Sequence, residues 1–269
     1  MNLSLRTKIP FRIFFLIILI FGAGNLSFAQ TNNPDEKAEA VIKKAVENLG
    51  GEKYLQVKTQ IGRGKFHQMR PGVQSFQSFL DVIVFPDKER TEFKYSGVKN
   101  IQTNFAGSGW VLDGAAEVVR EQKENEIDNF KRGIRASLDY LLRGFWRGKA
   151  TLTYGGKREA GIGMRNEVVK LVYDDGLSIE FEFDAKDGMP VKAFYKYKTE
   201  EGDEIKEEDR YAQFVDIQGI KTPFIIDHFV NNVQTSRINY ESMELNKSIP
   251  DSIFAKPSGA KELKKDLKL

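Results

Sequence analysis

Residues 177–184, "LSIEFEFD", set the strongest constraint on the fold of this chain. Leu177, Ile179, Phe181 and Phe183 occupy every second position, and serine or acidic residues stand between them. A period of two is typical of a strand with one buried and one solvated face. Similar segments, separated by glycine, proline and asparagine, fill most of the chain. The sequence therefore predicts an antiparallel sheet whose strands follow one another through short turns.

Two segments depart from this pattern and have the spacing of amphipathic helices. The first begins with Asn33 as the expected N-cap, places Asp35 in the first turn and ends at Gly50-Gly51. The second runs from about Glu124 to Arg147. A long sheet must curl and needs cover on its dry face. We therefore expect an α+β fold, mainly β, in which a curled antiparallel sheet is covered by these two helices.

The first 29 residues have the pattern of a signal peptide. Arg6, Lys8 and Arg12 precede an uncharged apolar run, and Ser27-Phe28-Ala29 resembles a cleavage site. This predicts export with cleavage before Gln30. An uncleaved membrane anchor is the alternative, although the apolar run is short for a span of about 20 residues.

Charge and cysteine content narrow the class of protein. Without the three basic residues of the leader, the 41 lysines and arginines become 38, which equals the number of acidic residues. A balanced chain argues against nucleic acid as a partner. The absence of cysteine excludes disulfides and thiolate chemistry. Export without disulfides suits a bacterial periplasm, which is the predicted location.

The sequence contains no repeat and no linker long enough to divide the exported part. We therefore predict a signal peptide at 1–29, one domain at 30–258 and a charged tail at 259–269. The tail ends in "KELKKDLKL", and this composition predicts fraying.

Signals of catalysis are weak throughout the chain. It has no G-x-S-x-G, H-E-x-x-H or P-loop motif. His67 and His228 both fall on predicted strands, and Asp227 must face away from its neighbour His228. His228 is thus expected to have no acid beside it on its own face. We interpret both histidines as structural and predict no catalytic residue, no metal site and no cofactor.

The acidic residues between 200 and 209 do not have the spacing of a calcium-binding loop. They predict a solvated hairpin tip instead.

Aromatic residues are the one surplus. Five of the 20 phenylalanines lie in the leader, and the other fifteen, with Trp110 and Trp146, belong to the exported part. Core packing accounts for most of them. A curled sheet under short helices can also leave a lined pocket, and this is the favoured interpretation. A fully packed core remains the alternative.

Four segments resemble the periplasmic lipoprotein-carrier superfamily, which comprises the outer-membrane lipoprotein-sorting proteins and their relatives. They are the helical "PDEKAEAVIKKAVENLGG", then "GSGWVLDG" before the second helix, "IEFEFDAKDGMPVKAFYKYKTEEGDEIKEEDRYAQF" as a late hairpin pair, and the closing "IPDSIFAKPSG". The resemblance implies an unclosed (half) β-barrel with a helical lid. It also implies a concave apolar face that takes the acyl chains of a lipid or a lipoprotein. No short motif places the lid-latching arginine of these carriers.

Under this hypothesis the ligand lies between the sheet and the second helix. The predicted ligand-binding residues of the sheet are Ile179, Phe181, Phe183 and Tyr195, and those of the lid are Leu138, Leu141, Leu142, Phe145 and Trp146. The predicted partners are lipid or lipoprotein acyl chains, together with a membrane-bound donor or acceptor protein.

Two alternatives stay open. A non-catalytic sensor or protein-interaction domain would use the acidic hairpin or an open sheet edge as its contact. A secreted hydrolase would use scattered acids such as Asp81 or Asp113, although the separation of paired carboxylates in space cannot be read from sequence.

Overall fold

The computed structural model describes residues 35–269 except 71–72, 106, 200, 264 and 268. The predicted leader, its cleavage site and the Asn33 cap lie outside the described residues.

The strands in the described part of the chain form a single antiparallel sheet of thirteen strands. The strands are β1 (Thr59–Arg70), β2 (Val73–Val84), β3 (Lys88–Tyr95), β4 (Val98–Phe105), β5 (Ser108–Asp113), β6 (Val118–Glu121), β7 (Ala150–Gly161), β8 (Met164–Tyr173), β9 (Ser178–Asp184), β10 (Pro190–Lys198), β11 (Glu204–Ile217), β12 (Ile220–Val230) and β13 (Val233–Leu245).

Strand order explains how the sheet is built. Every neighbouring pair is consecutive in sequence except β1 and β13, which meet in the middle. Strands β1 to β6 make one wing and β7 to β13 make the other, so β6 and β7 are the two free edges. Because these edges do not meet, the sheet is an unclosed half-barrel, and the predicted fold class is confirmed.

The helices are α1 (Glu36–Leu49), α2 (Glu52–Leu55), α3 (Glu124–Ala136) and α4 (Leu138–Leu142). Asp35, which was expected inside the first turn of α1, is instead its N-cap and accepts hydrogen bonds from the amides of Lys37 and Ala38. None of the helices in the described ranges is long and apolar enough to cross a membrane.

The prediction of one continuous second helix is wrong. Ser137 has extended backbone angles (φ −71°, ψ 146°), and its hydroxyl accepts a hydrogen bond from the amide of Tyr140. Serine competes with the helical backbone in this way, which is why it favours caps over helix interiors. The lid is therefore two helices joined at Ser137.

The largest apolar core lies between α1, α4 and strands β7 to β10 of the second wing. Ile179, Phe181 and Phe183 of β9 are fully buried there, together with Leu49 of α1 and Leu141 of α4. The strand with the clearest alternation in sequence thus supplies the centre of this core.

The C-terminal segment packs on the opposite face of the sheet. Ile253 and Phe254 pack on Ile61 and Val82. Leu263 packs on Ile101 and its neighbours. The expected fraying of the tail is wrong over 260–263, because these residues form a short 3-10 turn against the sheet.

The prediction that the acidic residues between 200 and 209 form a solvated hairpin tip is also wrong for most of them. Among the described acidic residues of this stretch, Glu201 and Asp203 lie in the turn, and the others belong to β11, which begins at Glu204. Glu208 is buried, and Lys206 and Arg210 pair with it at 2.9 and 2.6 Å. Sequence alone does not reveal that Glu208 is buried and paired, because its two basic partners share its strand face only once the strand has formed.

Candidate functional site

A cavity of about 470 Å³ lies between the lid helices and the concave face of the central strands. Strands β1, β2, β3, β11, β12 and β13 form its floor, and α3 and α4 form its roof. Its apolar lining includes Leu49, Val57, Ile83, Phe85, Phe130, Ile134, Ile220, Ile226, Ile238, Met243 and Leu245. A volume of this size is within the range of small-molecule sites.

The cavity lies where two strands separate. The β12–β13 ladder runs from Val230 back to Ile225, which pairs with Asn239, and stops there. Beyond it β12 pairs with β11 and β13 pairs with β1. Pro223, which has no N–H to offer, lies in this separated part of β12. Residues of both separated stretches line the cavity.

The nine predicted ligand-binding residues divide into two groups. Leu138 and Phe145 line the cavity. The other seven lie in the core under α1 and α4 and are not part of the lining, namely Ile179, Phe181, Phe183, Tyr195, Leu141, Leu142 and Trp146. Ligand contact by any of the nine stays a prediction.

The central strands supply lining residues that the sequence argument did not select. Tyr211, Ile226, Ile238, Tyr240 and Met243 come from three late strands that pair side by side. Their alternation was visible in "RYAQFVDI", "KTPFIIDHF" and "QTSRINYESMEL". What was missing was the register that brings these strands under the lid.

Arg143 links the lid to the segment that connects α1 with β1. Arg143 follows α4, and its Nη1 donates to the carbonyl oxygens of Tyr54 at 2.6 Å and Val57 at 3.0 Å. Its Nε donates to Asp139 Oδ1 at 2.9 Å, and its guanidinium stacks on the rings of Tyr54 and Phe85. Tyr54 donates its hydroxyl proton to the same Asp139 oxygen at 2.8 Å. Burial, followed by the charge of Asp139, raises the pKa of Tyr54.

His228 lies at one end of the cavity lining. Its Nδ1 is 2.7 Å from Oδ1 of Asp209, which is its direct partner across β11 and β12. The expectation that no acid stands beside it on its face is therefore wrong, because the acid comes from the neighbouring strand. Asp227 faces away and pairs with Arg237 at 2.5 Å. The hydrogen bond to Asp209 raises the pKa of His228.

This raised pKa predicts a pH dependence of stability. A histidine whose pKa is higher in the folded protein stabilises it fully below the unfolded pKa of about 6.5 and loses that effect as the pH rises through the folded value. We expect Asp209→Asn to remove a stabilisation of less than about 1 kcal/mol near pH 6, since both groups are partly exposed. At about pH 8 the variant should lose less.

Guanidinium denaturation of both proteins at the two pH values measures this difference. An equal loss at both would show that the charge of His228 does not contribute. The other histidine, His67, lies on β1 with its ring centroid 6.0 Å from that of Phe76.

The two acids considered for hydrolysis have different surroundings. Asp113 is exposed and accepts hydrogen bonds from the amides of Ala115 and Ala116, so it stabilises a turn. Asp81 is buried and shares the hydroxyl of Thr91 with Glu89, at 2.9 and 3.1 Å. Burial raises the pKa of both carboxyls, and Glu89 raises that of Asp81 further. In the described ranges, no three acidic or histidine side chains converge as a metal site.

Tyr240 owes its position in the cavity to a glycine. Its ring lies across Gly62, where an added Cβ would stand 2.4 Å from the ring carbon Cε1. We expect Gly62→Ala to displace the ring and lower the free energy of unfolding by about 1–3 kcal/mol.

The matched control is Gly133→Ala in α3, where an added Cβ meets no atom within 4 Å. It should raise stability by about 0.5–1 kcal/mol, because alanine is the better helix former. Urea denaturation of both variants measures the two changes. A neutral Gly62→Ala would show that the ring moves without cost.

Solved structures with the same fold are known. A LolA superfamily protein from Nitrosomonas europaea aligns with a TM-score of 0.55 and 15% identity over 81% of this chain and 97% of that one. A DUF1329 family protein from Desulfovibrio piger gives 0.57 and 14% over the same shares. A putative outer membrane lipoprotein-sorting protein domain from Vibrio parahaemolyticus gives 0.54 and 12% over 85% and 100%.

The chain has the fold of the LolA superfamily. The resemblance inferred from sequence is thus confirmed at the level of the fold. No protein-family model matches the chain, and none of the curated proteins matches it.

Proposed function

We propose that this protein is a non-catalytic carrier that binds lipid or lipoprotein acyl chains in the cavity beneath its lid. The observation that carries the proposal is the cavity itself, which is about 470 Å³ and has a largely aliphatic and aromatic lining. The likeness to lipoprotein-sorting structures supports it. Export to the periplasm, with the signal peptide removed before Gln30, belongs to the same proposal.

Binding would draw on burial of apolar surface, at about 25 cal/mol per Å². Apolar burial does not depend on the orientation of the ligand. Release therefore requires the lid to move, or a partner to compete for the acyl chain. The interruption of the lid at Ser137 would allow the short helix α4 to move relative to α3. The hydrogen bonds of Arg143 hold α4 in its closed position. A membrane-bound donor or acceptor protein is the kind of partner that would act on this roof.

The first test is extraction of the protein purified from the periplasm, followed by lipid mass spectrometry and by titration with a fluorescent fatty acid. We expect a co-purifying lipid and saturable uptake. Neither a bound lipid nor any uptake would contradict the proposal. Fractionation and N-terminal sequencing test the location and the cleavage site.

A variant that fills the cavity sharpens the test. Ile238 pairs with Ile226 on the floor, and both line the cavity. We expect Ile238→Trp to reduce uptake of the fluorescent fatty acid at least about tenfold, because the larger side chain takes the space of the ligand. The matched control is Val233→Trp at the exposed first residue of β13, which should bind normally. Equal uptake by both variants would place the ligand elsewhere.

A further inference from the structure

One end of the cavity has more hydrogen-bond acceptors than donors. Asp81 is 8% exposed, and Glu89, which lines the cavity, shares with it the single hydroxyl proton of Thr91. Within the described ranges, neither carboxyl forms an ion pair with a basic side chain. Burial raises the pKa of both carboxyls, and the charge of Glu89 raises that of Asp81 further, which favours a proton held between them.

A second, independent feature faces the same place. Tyr240 is 8% exposed and lines the cavity, and its hydroxyl has no hydrogen-bond partner among the described residues. Its ring crosses Gly62, which pairs directly with Asp81 on the neighbouring strand. The hydroxyl therefore extends over β1 towards the carboxyl pair. This hydroxyl is therefore free to form a hydrogen bond with a ligand in the cavity.

Aromatic residues neighbour the acid pair on the same face of the sheet. Phe79 pairs with Phe93 one step along the same face of β2 and β3. Tyr240 meets Phe79 edge-on at 5.3 Å, and Phe224 lies 6.1 Å from Tyr240. Carboxyls beside aromatic rings make a favourable environment for an ammonium group, which binds to the face of a ring and donates to oxygen.

Most of the cationic side chains that line the cavity are already engaged. Arg143 donates to Asp139 and to backbone carbonyls, and His228 pairs with Asp209. Lys88 binds Asp251 of the C-terminal segment. Lys221 also lines the cavity, but it lies on β12, and three strands separate β12 from Glu89 on β3. An anionic group placed beside Glu89 and Asp81 would thus meet two carboxyls, whereas a cationic group would complete the site.

We propose that the ligand of this cavity is an amphiphile whose polar end carries a primary amine. Its ammonium group donates to Glu89, to Asp81 and to the oxygen of Tyr240, and its apolar chain lies along Ile226, Ile238 and Met243. This deepens the proposed function and rests on it, because the acyl-binding cavity is the same one.

The experiment compares three probes of equal chain length, namely decylamine, decanol and decanoate, as competitors of a neutral apolar fluorophore. We expect decylamine to bind at least about tenfold more tightly than either of the others, since its hydrogen bonds are charge-assisted. Equal binding of the alcohol or the carboxylate would overturn the amine site while leaving the carrier proposal intact. Failure of the fluorophore and of all three probes to bind would overturn both.

Variants place the effect on the named residues. Glu89→Gln and Asp81→Asn should each weaken decylamine about tenfold and leave decanol unchanged, and Tyr240→Phe should weaken it less. The matched control is Glu244→Gln on β13, whose carboxylate pairs with Arg63 and Lys247. Unchanged amine preference in Glu89→Gln would overturn the assignment. Circular dichroism melting confirms that each variant is folded.

A measurement on the unaltered protein needs no variant. Binding of an ammonium group favours ionisation of both carboxyls, so the shared proton should leave. Calorimetric titration in buffers of different ionisation enthalpy should report about one proton released per decylamine bound and none per decanol. Absence of proton release with the amine would contradict the site.

Discussion

Replacement of Phe254 by alanine should lower the free energy of unfolding by about 3–5 kcal/mol, as expected for a large aromatic side chain removed from a packed site. Phe254 is 4% exposed and packs with Ile61 and Val82 on the face of the sheet opposite the cavity. Its carbonyl oxygen accepts a hydrogen bond from Nε1 of the buried Trp110 at 2.8 Å. A loosened segment would therefore leave a second buried aromatic group without its partner.

The matched control is Phe76→Ala on β2, because Phe76 is 55% exposed. Exposed substitutions of this kind usually change stability by about 0.5 kcal/mol or less. Guanidinium denaturation of the three proteins gives both values. If the two variants lost equal stability, the C-terminal segment would contribute no more than a surface side chain.

The local parts of this fold could be predicted because their causes are local. The alternation in "LSIEFEFD" decides which side chains of β9 face the core, and a pair of glycines ends α1. The hairpin order follows from short turns between consecutive strands. These features require only neighbours in sequence, so the curled antiparallel sheet and its helical cover were accessible. The unclosed barrel was implied by the resemblance to the lipoprotein carriers.

The position of the cavity was not accessible in the same way. Phe181 and Phe183 have the pattern of a dry face, but α1 and α4 cover them completely. The space remains farther along the sheet, where β12 separates from β13 beyond Ile225. Where one sheet face changes from packed to open depends on helix placement and strand divergence, and neither follows from periodicity.

Polar contacts across strands were missed for a related reason. His228 contacts Asp209, which lies nineteen positions earlier in the chain. Asp81 and Glu89 are linked through the hydroxyl of Thr91 on the adjacent strand. A shift of one residue in register would separate each pair onto opposite faces. Adjacent sequence positions, such as 227 and 228, were the only ones that could be judged in advance.

Replacement of Arg143 by alanine should release the lid. The side chain is 5% exposed and holds Asp139 together with the carbonyl oxygens of Tyr54 and Val57. Its loss leaves these buried acceptors short of donors, and we expect a fall of about 3 kcal/mol in the free energy of unfolding. The amides of α4 should also exchange with solvent at least about tenfold faster under native conditions, since the tether of that helix is gone.

Arg147→Ala is the matched control, because Arg147 is 52% exposed and pairs with Glu39 of α1. An exposed pair of this kind contributes about 1 kcal/mol or less. Arg143→Lys retains the charge but replaces the planar fork with a point donor, so it should recover only part of the loss. Unchanged exchange in α4 of Arg143→Ala would show that apolar packing alone holds the lid. Faster exchange confined to α4 and its neighbours would identify Arg143 as the contact that any partner must break to open the cavity.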